Sequence, residues 1–295
     1  MNWEEELKRK AAMINEALDH YLPPADRYPI KIHEAMRYSL FAGGKRLRGA
    51  LLLSVAEMLE MDPKRVLPAA ASVEMIHTYS LIHDDLPAMD DDDFRRGKPT
   101  CHRVFGEAIA ILAGDALLTL AFQTLGELKK EGFSSDLILG IVDELSRAAG
   151  TEGLIGGQVV DLESEGVEVG SDTLAYIHEH KTGALFCAAV RAGAILAGAG
   201  EAELQALTDY AKAFGLAFQI TDDILDVIGD EKEMGKPAKS DAAKKKATYP
   251  AVFGLEESRH IAAEQVRKAL HSLKMFGARA AFLEEAARYL LQRKS

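Results

Sequence analysis

The sequence predicts a single all-α domain over residues 1–295, and three observations carry that reading. Apolar residues recur at helical spacing through long stretches. No block of alternating β-branched residues reads as a strand. Helix-breaking residues fall at intervals that leave runs of roughly 12–30 residues, long enough for globular helices. Taken in order, breaks come at Pro23-Pro24, Gly43-Gly44, Pro63, Pro87, Gly97 to Pro99, Gly132, Gly229, Gly235 to Pro237 and Gly277. Between them, Ala70, Val73, Ile76, Tyr79 and His83 line up at helical spacing. Leu174, Ile177, Leu185, Val190 and Ile195 belong to another long helical stretch, with Ser171 or Asp172 placed to cap its start. Leu204, Leu207, Ala211, Phe214 and Phe218 form a further helix. The total is about ten or more helices, several of them buried all round.

Composition narrows the function classes. The chain has 295 residues, 48% apolar and 27% charged, enough for a sizeable core without disulfides or structural metals. Its formal net charge of −11 argues against non-specific nucleic-acid binding. Two cysteines, Cys101 and Cys187, are too few for a disulfide framework and point to packing roles in a reducing, cytoplasmic compartment. The stretch Met1 to Glu6 is acidic and lacks the apolar core of a signal peptide. The longest apolar stretch, Ala108 to Phe122, is interrupted by Asp115, and Arg191 interrupts the Ala/Gly-rich run around it. Neither supplies the roughly 18 uninterrupted apolar residues of a membrane span.

Two aspartate clusters carry the chemistry. Residues 84–93 read Asp-Asp-Leu-Pro-Ala-Met-Asp-Asp-Asp-Asp, at the end of an apolar helix that Pro87 forces the chain to leave. Carboxylates are unfavourable at the negative pole of a helix, so this crowd requires cations. Asp222, Asp223 and Asp226 end another apolar helix, within an arc of roughly 100°. Gln219 shares that face. Oxygen-only ligands suit Mg²⁺, which is usually held by one or two carboxylates plus water and substrate phosphates. Two facing carboxylate sets therefore imply a phosphorylated substrate clamped between them by several Mg²⁺ ions.

The basic residues read as the counterpart. Gly43-Gly44-Lys45-Arg46-Leu47-Arg48 is a turn followed by three cations, without the spacing of a P-loop. Arg95-Arg96 follow the first cluster, and Lys181-Thr182, Lys236 and Lys246 add donors near helix ends or loops. This set suggests two phosphate-bearing substrates, one bound through metal and the other by lysine and arginine alone.

Six motifs in order resemble the trans-prenyl diphosphate synthases, and most closely the bacterial farnesyl diphosphate synthases. They are Tyr38 to Arg48, Glu74 to Asp85, Arg95 to Thr100, Gly157 to Asp161, His180 to Gly183 and Phe218 to Asp226, within a match over about residues 30–255. The resemblance implies an isoprenoid synthase-type helical bundle around a central cavity, and a homodimer. It implies that Asp84, Asp85, Asp90, Asp222, Asp223 and Asp226 hold the Mg²⁺–diphosphate of the allylic substrate. Arg95, Lys181, Thr182, Gln219, Lys236 and Lys246 would contact that substrate, and Lys45, Arg48, His77 and Arg96 would bind isopentenyl diphosphate. Catalysis would fall to Asp84, Asp85, Asp90, Arg95, Lys181, Asp222, Asp223 and Lys236. Two departures stand out: Gly49 occupies the place of an expected proline, which would loosen the loop, and residues 241–246 are unusually basic.

The implied reaction is head-to-tail condensation, performed twice from dimethylallyl diphosphate. Diphosphate leaves, isopentenyl diphosphate attacks the allylic cation, and a proton is lost in a cavity that excludes water. Thr182 and Gln219 would present dipoles to the cation. Product length is assigned to Tyr79, about 7.5 Å along the helix from Asp84, with small Ser80 nearer the metals. In the resembling family an aromatic here, with two extra residues before Asp90, marks fifteen-carbon synthases; smaller residues accompany longer products such as geranylgeranyl diphosphate. Rival readings explain less. Glu74/His77 and Glu257/His260 repeat the spacing of a di-iron carboxylate bundle, but that leaves both aspartate clusters and the basic turn without a role. A terpene cyclase needs no second diphosphate site, and inert regulatory subunits tend to lose their aspartate motifs. His178 and His180 fall on different helix faces and do not form a metal pair.

Overall fold

Among the residues it describes, 2–167, 169–228 and 246–293, the computed structural model is helical almost throughout. Helix α1 (Trp3–Tyr21) starts on Asn2, whose side chain accepts from the Glu5 N–H, with three glutamates at the positive pole of its first turn. Then come α2 (Ile30–Leu40), α3 (Leu47–Met58) and α4 (Leu67–Asp84). A short antiparallel ribbon, β1 (Phe94–Arg95) and β2 (Lys98–Pro99), leads into α5 (Cys101–Phe105) and α6 (Glu107–Leu125). After α7 (Ser135–Ala149), α8 (Leu154–Glu163) and α9 (Ser171–Ile177), the chain makes one wide π-helical turn, His178–Gly183. It continues as α10 (Ala184–Leu196) and α11 (Glu201–Ile228), then α12 (Tyr249–Phe253), α13 (Leu255–Ser272) and α14 (Ala281–Leu290).

The expected all-α class is found, and the breaks at Pro23-Pro24, Gly43-Gly44, Pro87, Gly97 to Pro99 and Gly132 fall between helices, while Gly229 and Gly235 to Pro237 lie outside the described residues. The long helical stretch is present over residues 171–196, with the π-turn inside it. One local expectation fails. Neither Ser171 nor Asp172 caps α9: both already lie inside the helix, and Gly170 stands at its start without a side-chain cap.

Helices α3 and α4 are apolar on nearly every face and form the centre of the core. Leu51, Leu52, Leu53, Met75 and Ile76 are fully buried, each contributing about 1.5–3 kcal/mol by leaving water. Helix α4 packs against α6 and α3, α10 against α3, α7 and α11, and α11 against α13. This frame brings the C-terminal ends of α4 and α11 to a common cleft. On the outside, α5 and α6 leave Val104, Ile111 and Leu112 exposed.

Candidate active site

Helix α4 ends where its aspartates begin. Its last carbonyls would lack partners, and Pro87 cannot extend the helix. The loop instead turns back: the Asp90 N–H donates to the Asp84 carbonyl at 2.8 Å, and the Asp92 N–H to the Asp85 carbonyl at 3.2 Å. The two aspartates of the pair then part company. Asp84 lines the cleft with Asp90, and burial pushes its carboxyl up to about 6; Lys181 opposes the shift and the Asp90 charge adds to it. Asp85 is buried away from the cleft lining and takes a forked arginine: Arg95 Nε lies 2.8 Å and 3.0 Å from its two oxygens, and Nη2 lies 2.6 Å from Oδ1.

The cluster on α11 divides in the same way. Asp222, Asp223 and Asp226 all line the cleft, which has a volume of about 390 Å³. The Asp222 side chain is 44% exposed and pairs with Arg293. The Arg293 Nη2 group also donates to the Phe218 carbonyl and the Thr221 hydroxyl, each at 2.9 Å, and its guanidinium lies 4.4 Å from the Phe218 ring centroid. Asp223 is buried and accepts from three donors: His178 Nε2 at 3.0 Å, Gln219 Nε2 at 2.9 Å and the Tyr249 N–H at 3.0 Å. Gln219 in turn accepts the Thr182 hydroxyl at 2.8 Å.

The π-turn presents Lys181 and Thr182 to the cleft. Gly157 on α8 makes this possible, since a Cβ there would stand 2.1 Å from the Lys181 backbone nitrogen. One turn further along α8, Asp161 receives Lys181 Nζ at 2.6 Å. Lys246 Nζ bonds Asp90 at 2.8 Å and lies 4.0 Å from Asp161.

A second positive region sits at the Gly43-Gly44 turn. Arg96 and Gly97 both adopt positive φ at the tip of the ribbon, the backbone of a tight hairpin, and the Arg96 guanidinium bonds the Gly43 carbonyl. A side chain at Gly44 would strike it, with only 2.5 Å to Nη1. Arg46, left-handed and buried, serves the fold: it bonds Asn15 and the Leu40 carbonyl and lies near Glu74. Arg48 rests over the Phe186 ring at 4.1 Å, and its buried Nε has no hydrogen-bond partner. Burial pushes its pKa down to about 10, with Glu74 and Asp222 opposing. His77 is held well below its ordinary value, first by burial and then by Arg48 and Arg96. Lys45 Nζ donates to the Tyr289 hydroxyl at 3.2 Å. Gly49 does not loosen this region, because its N–H, which proline would lack, donates to Glu74 at 2.9 Å.

The cleft thus gathers Asp84, Asp90, Arg95, Arg96, Lys181, Thr182, Gln219, Asp222, Asp223, Asp226 and Lys246. Lys236 lies outside the described residues. Asp85, Lys45, Arg48 and His77 are not on the cleft lining. Neither are Tyr79 and Ser80: Ser80 bonds the His77 carbonyl, and Tyr79 is buried edge-on to His83 with an unpartnered hydroxyl. Sequence reasoning gave no role to Asp161, Arg293 or Tyr249. Of these only Asp161 left a trace, as the last residue of the motif Gly157 to Asp161. Glu74 is tied to Gly49 and Arg46, while Glu257 and His260 are exposed on α13, which dismantles the di-iron arrangement.

Among the described residues no three potential ligands converge on one metal position. The cleft-facing carboxylates nevertheless fit Mg²⁺, which takes one or two such oxygens and completes its shell from phosphate and water.

Residues 30–285 match the family model described as polyprenyl synthetase. The chain is 48% identical to the large subunit 1 of a heterodimeric geranylgeranyl pyrophosphate synthase from Arabidopsis thaliana chloroplasts, over 97% of this chain and 78% of that one. It is 48% identical to the farnesyl diphosphate synthase of Geobacillus stearothermophilus, over 92% of this chain and 91% of that one. The crystal structure of an FPP/GFPP synthase from Zymomonas mobilis superposes with a TM-score of 0.87 at 37% identity, covering 98% of this chain and 99% of that one.

Proposed function

Since this chain belongs to the polyprenyl synthetase family and is a prenyltransferase, we propose that it makes farnesyl diphosphate from isopentenyl diphosphate and the dimethylallyl and geranyl diphosphates. The allylic diphosphate sits between Asp84 and Asp90 on one wall and Asp222 and Asp226 on the other. These carboxylates would hold magnesium, which would supply charge neutralisation as the diphosphate departs. Lys181, Lys246 and Arg95, with Lys236, bind its oxygens by charge-assisted hydrogen bonds. Leu81, Ile177 and Leu225 give the cleft an apolar lining that excludes water from the cation. Thr182 and Gln219 direct their dipoles at the allylic carbons.

The observation that carries the two-substrate reading is the half-buried Arg48 guanidinium, whose Nε is buried and unpartnered. A buried charge lacking full hydrogen bonding is costly, and a diphosphate completed by Lys45, His77 and Arg96 relieves it. The fifteen-carbon length is assigned to Tyr79, a buried ring five residues before Asp84 on α4. A homodimer through the exposed apolar residues of α5 and α6, in the cytoplasm, belongs to the same proposal. Relatives of equal identity bear the name geranylgeranyl pyrophosphate synthase, and they supply the second reading.

The test is product analysis with purified protein, radiolabelled isopentenyl diphosphate and dimethylallyl diphosphate. A fifteen-carbon product from the native enzyme, lengthening in Tyr79→Ala, supports the proposal. Chiefly twenty-carbon product from the native enzyme establishes the second reading.

A further inference from the structure

Asp223 is the point at which three segments of the cleft wall meet. His178 opens the π-turn that carries Lys181 and Thr182, Gln219 lies one turn back along α11, and Tyr249 follows three residues after Lys246. All three donate to the Asp223 carboxylate. An ionised carboxylate can only accept, with about four lone-pair positions, so protein donors already take most of this one's capacity. Asp222 differs: its side chain is 44% exposed, and Arg293 is among the groups that reach it.

The hydrogen-bond polarity has a consequence at the cleft. Because Asp223 Oδ1 accepts, the Gln219 amide must turn its nitrogen toward it. Its carbonyl oxygen must then face Thr182, where it takes the hydroxyl proton at 2.8 Å. That leaves the lone pairs of the Thr182 oxygen directed away from Gln219. Both residues line the cleft. Fixed oxygen dipoles of this kind stabilise positive charge as it develops, at no cost of reorientation during the reaction.

We propose that Asp223 is a positioning residue that sets the direction of the Gln219 amide and, through it, of the Thr182 hydroxyl, and that it is not among the carboxylates that hold the metal. The inference rests on the reading of this cleft as the place where the allylic diphosphate ionises. In D223N the new amide keeps its oxygen on Tyr249 and His178 and turns its nitrogen to Gln219. The Gln219 amide must flip, and Thr182 then faces a donor. In Q219E two carboxylates oppose each other. In D223N/Q219E the carboxylate at 219 accepts from both the amide at 223 and Thr182, which restores the original polarity with the total charge unchanged.

The experiment measures kcat and KM for both substrates, and Mn²⁺ binding by calorimetry in the presence of an unreactive allylic thiodiphosphate. D223N should lower kcat by about 10²-fold with little change in KM. Its Mn²⁺ affinity should match the native enzyme, whereas D222N should lose at least about tenfold. D223N/Q219E should regain at least about tenfold in kcat over either single variant. Loss of Mn²⁺ affinity in D223N equal to that of D222N overturns the proposal, as does a double variant no better than its parents. If D223N does not fold, the comparison of Q219E with D223N/Q219E decides the relay alone. Absence of any turnover by the native enzyme would instead defeat the reading of the cleft.

Discussion

The aspartate cleft and the basic turn are both assigned to a diphosphate, yet they are built on opposite plans. In the cleft, cations rest on carboxylates: Arg95 on Asp85, Lys181 on Asp161, Lys246 on Asp90 and Arg293 on Asp222. Around the basic turn, Arg48 is half-buried with a buried, unpartnered Nε, Arg96 lies across the Gly43-Gly44 turn, and the neutral His77 adds no charge. The contrast teaches how each region takes its ligand. A cleft whose charges are already paired gains little from an anion alone, and gains most when anion and metal arrive together to exchange those pairs. A pocket whose half-buried cation keeps a buried, unpartnered donor takes an anion without metal.

The comparison breaks first at the carboxylates. Asp84→Ala or Asp222→Ala should lower turnover by at least ~10³-fold, the scale of a major electrostatic stabiliser, and EDTA should abolish it. Near-normal rates in steady-state assays of either variant would remove the metal from the cleft's side of the contrast.

A smaller effect sharpens the other side. Arg48→Ala should weaken isopentenyl diphosphate by about 1.5–3 kcal/mol in its KM, while Arg95→Ala acts on the allylic substrate. Equal effects of both variants on both Michaelis constants would erase the distinction between the regions.

The smallest prediction concerns pH. His77 is neutral in the folded protein because burial and the arginines depress its pKa below the ordinary 6.5. Below that pH the unfolded chain binds a proton that the folded protein refuses. Stability should therefore fall as pH drops, by up to about 1.4 kcal/mol per pH unit. His77→Gln should flatten this slope in urea titrations between pH 7.5 and 5; an unchanged slope would show that His77 protonates freely.

How much of this was legible beforehand follows from what sequence encodes locally. The helical period and the breakers mark the helices because both act over a few residues. The aspartate clusters are visible as composition, and so is the basic turn. The splitting of each aspartate pair is not. Adjacent residues on a helix lie about 100° apart, so Asp222 and Asp223 point to different surroundings, and which one meets donors depends on His178 and Tyr249, remote in sequence. The π-turn packs its Lys181 backbone closely against Gly157, a contact with no local signature. Among three neighbouring cations, only packing against Asn15 and Leu40 separates the structural Arg46 from Lys45 and Arg48. Arg293 reaches Asp222 across 71 positions, beyond any spacing rule.

On the proposed reading, one diphosphate region depends on metal and the other does not. Calorimetric binding of an isopentenyl thiodiphosphate and of an allylic thiodiphosphate, each with Mg²⁺ and then with EDTA, tests it most directly. The isopentenyl analogue should bind with similar affinity in both conditions, while the allylic analogue should lose most of its affinity in EDTA. Equal metal dependence of the two analogues would contradict it.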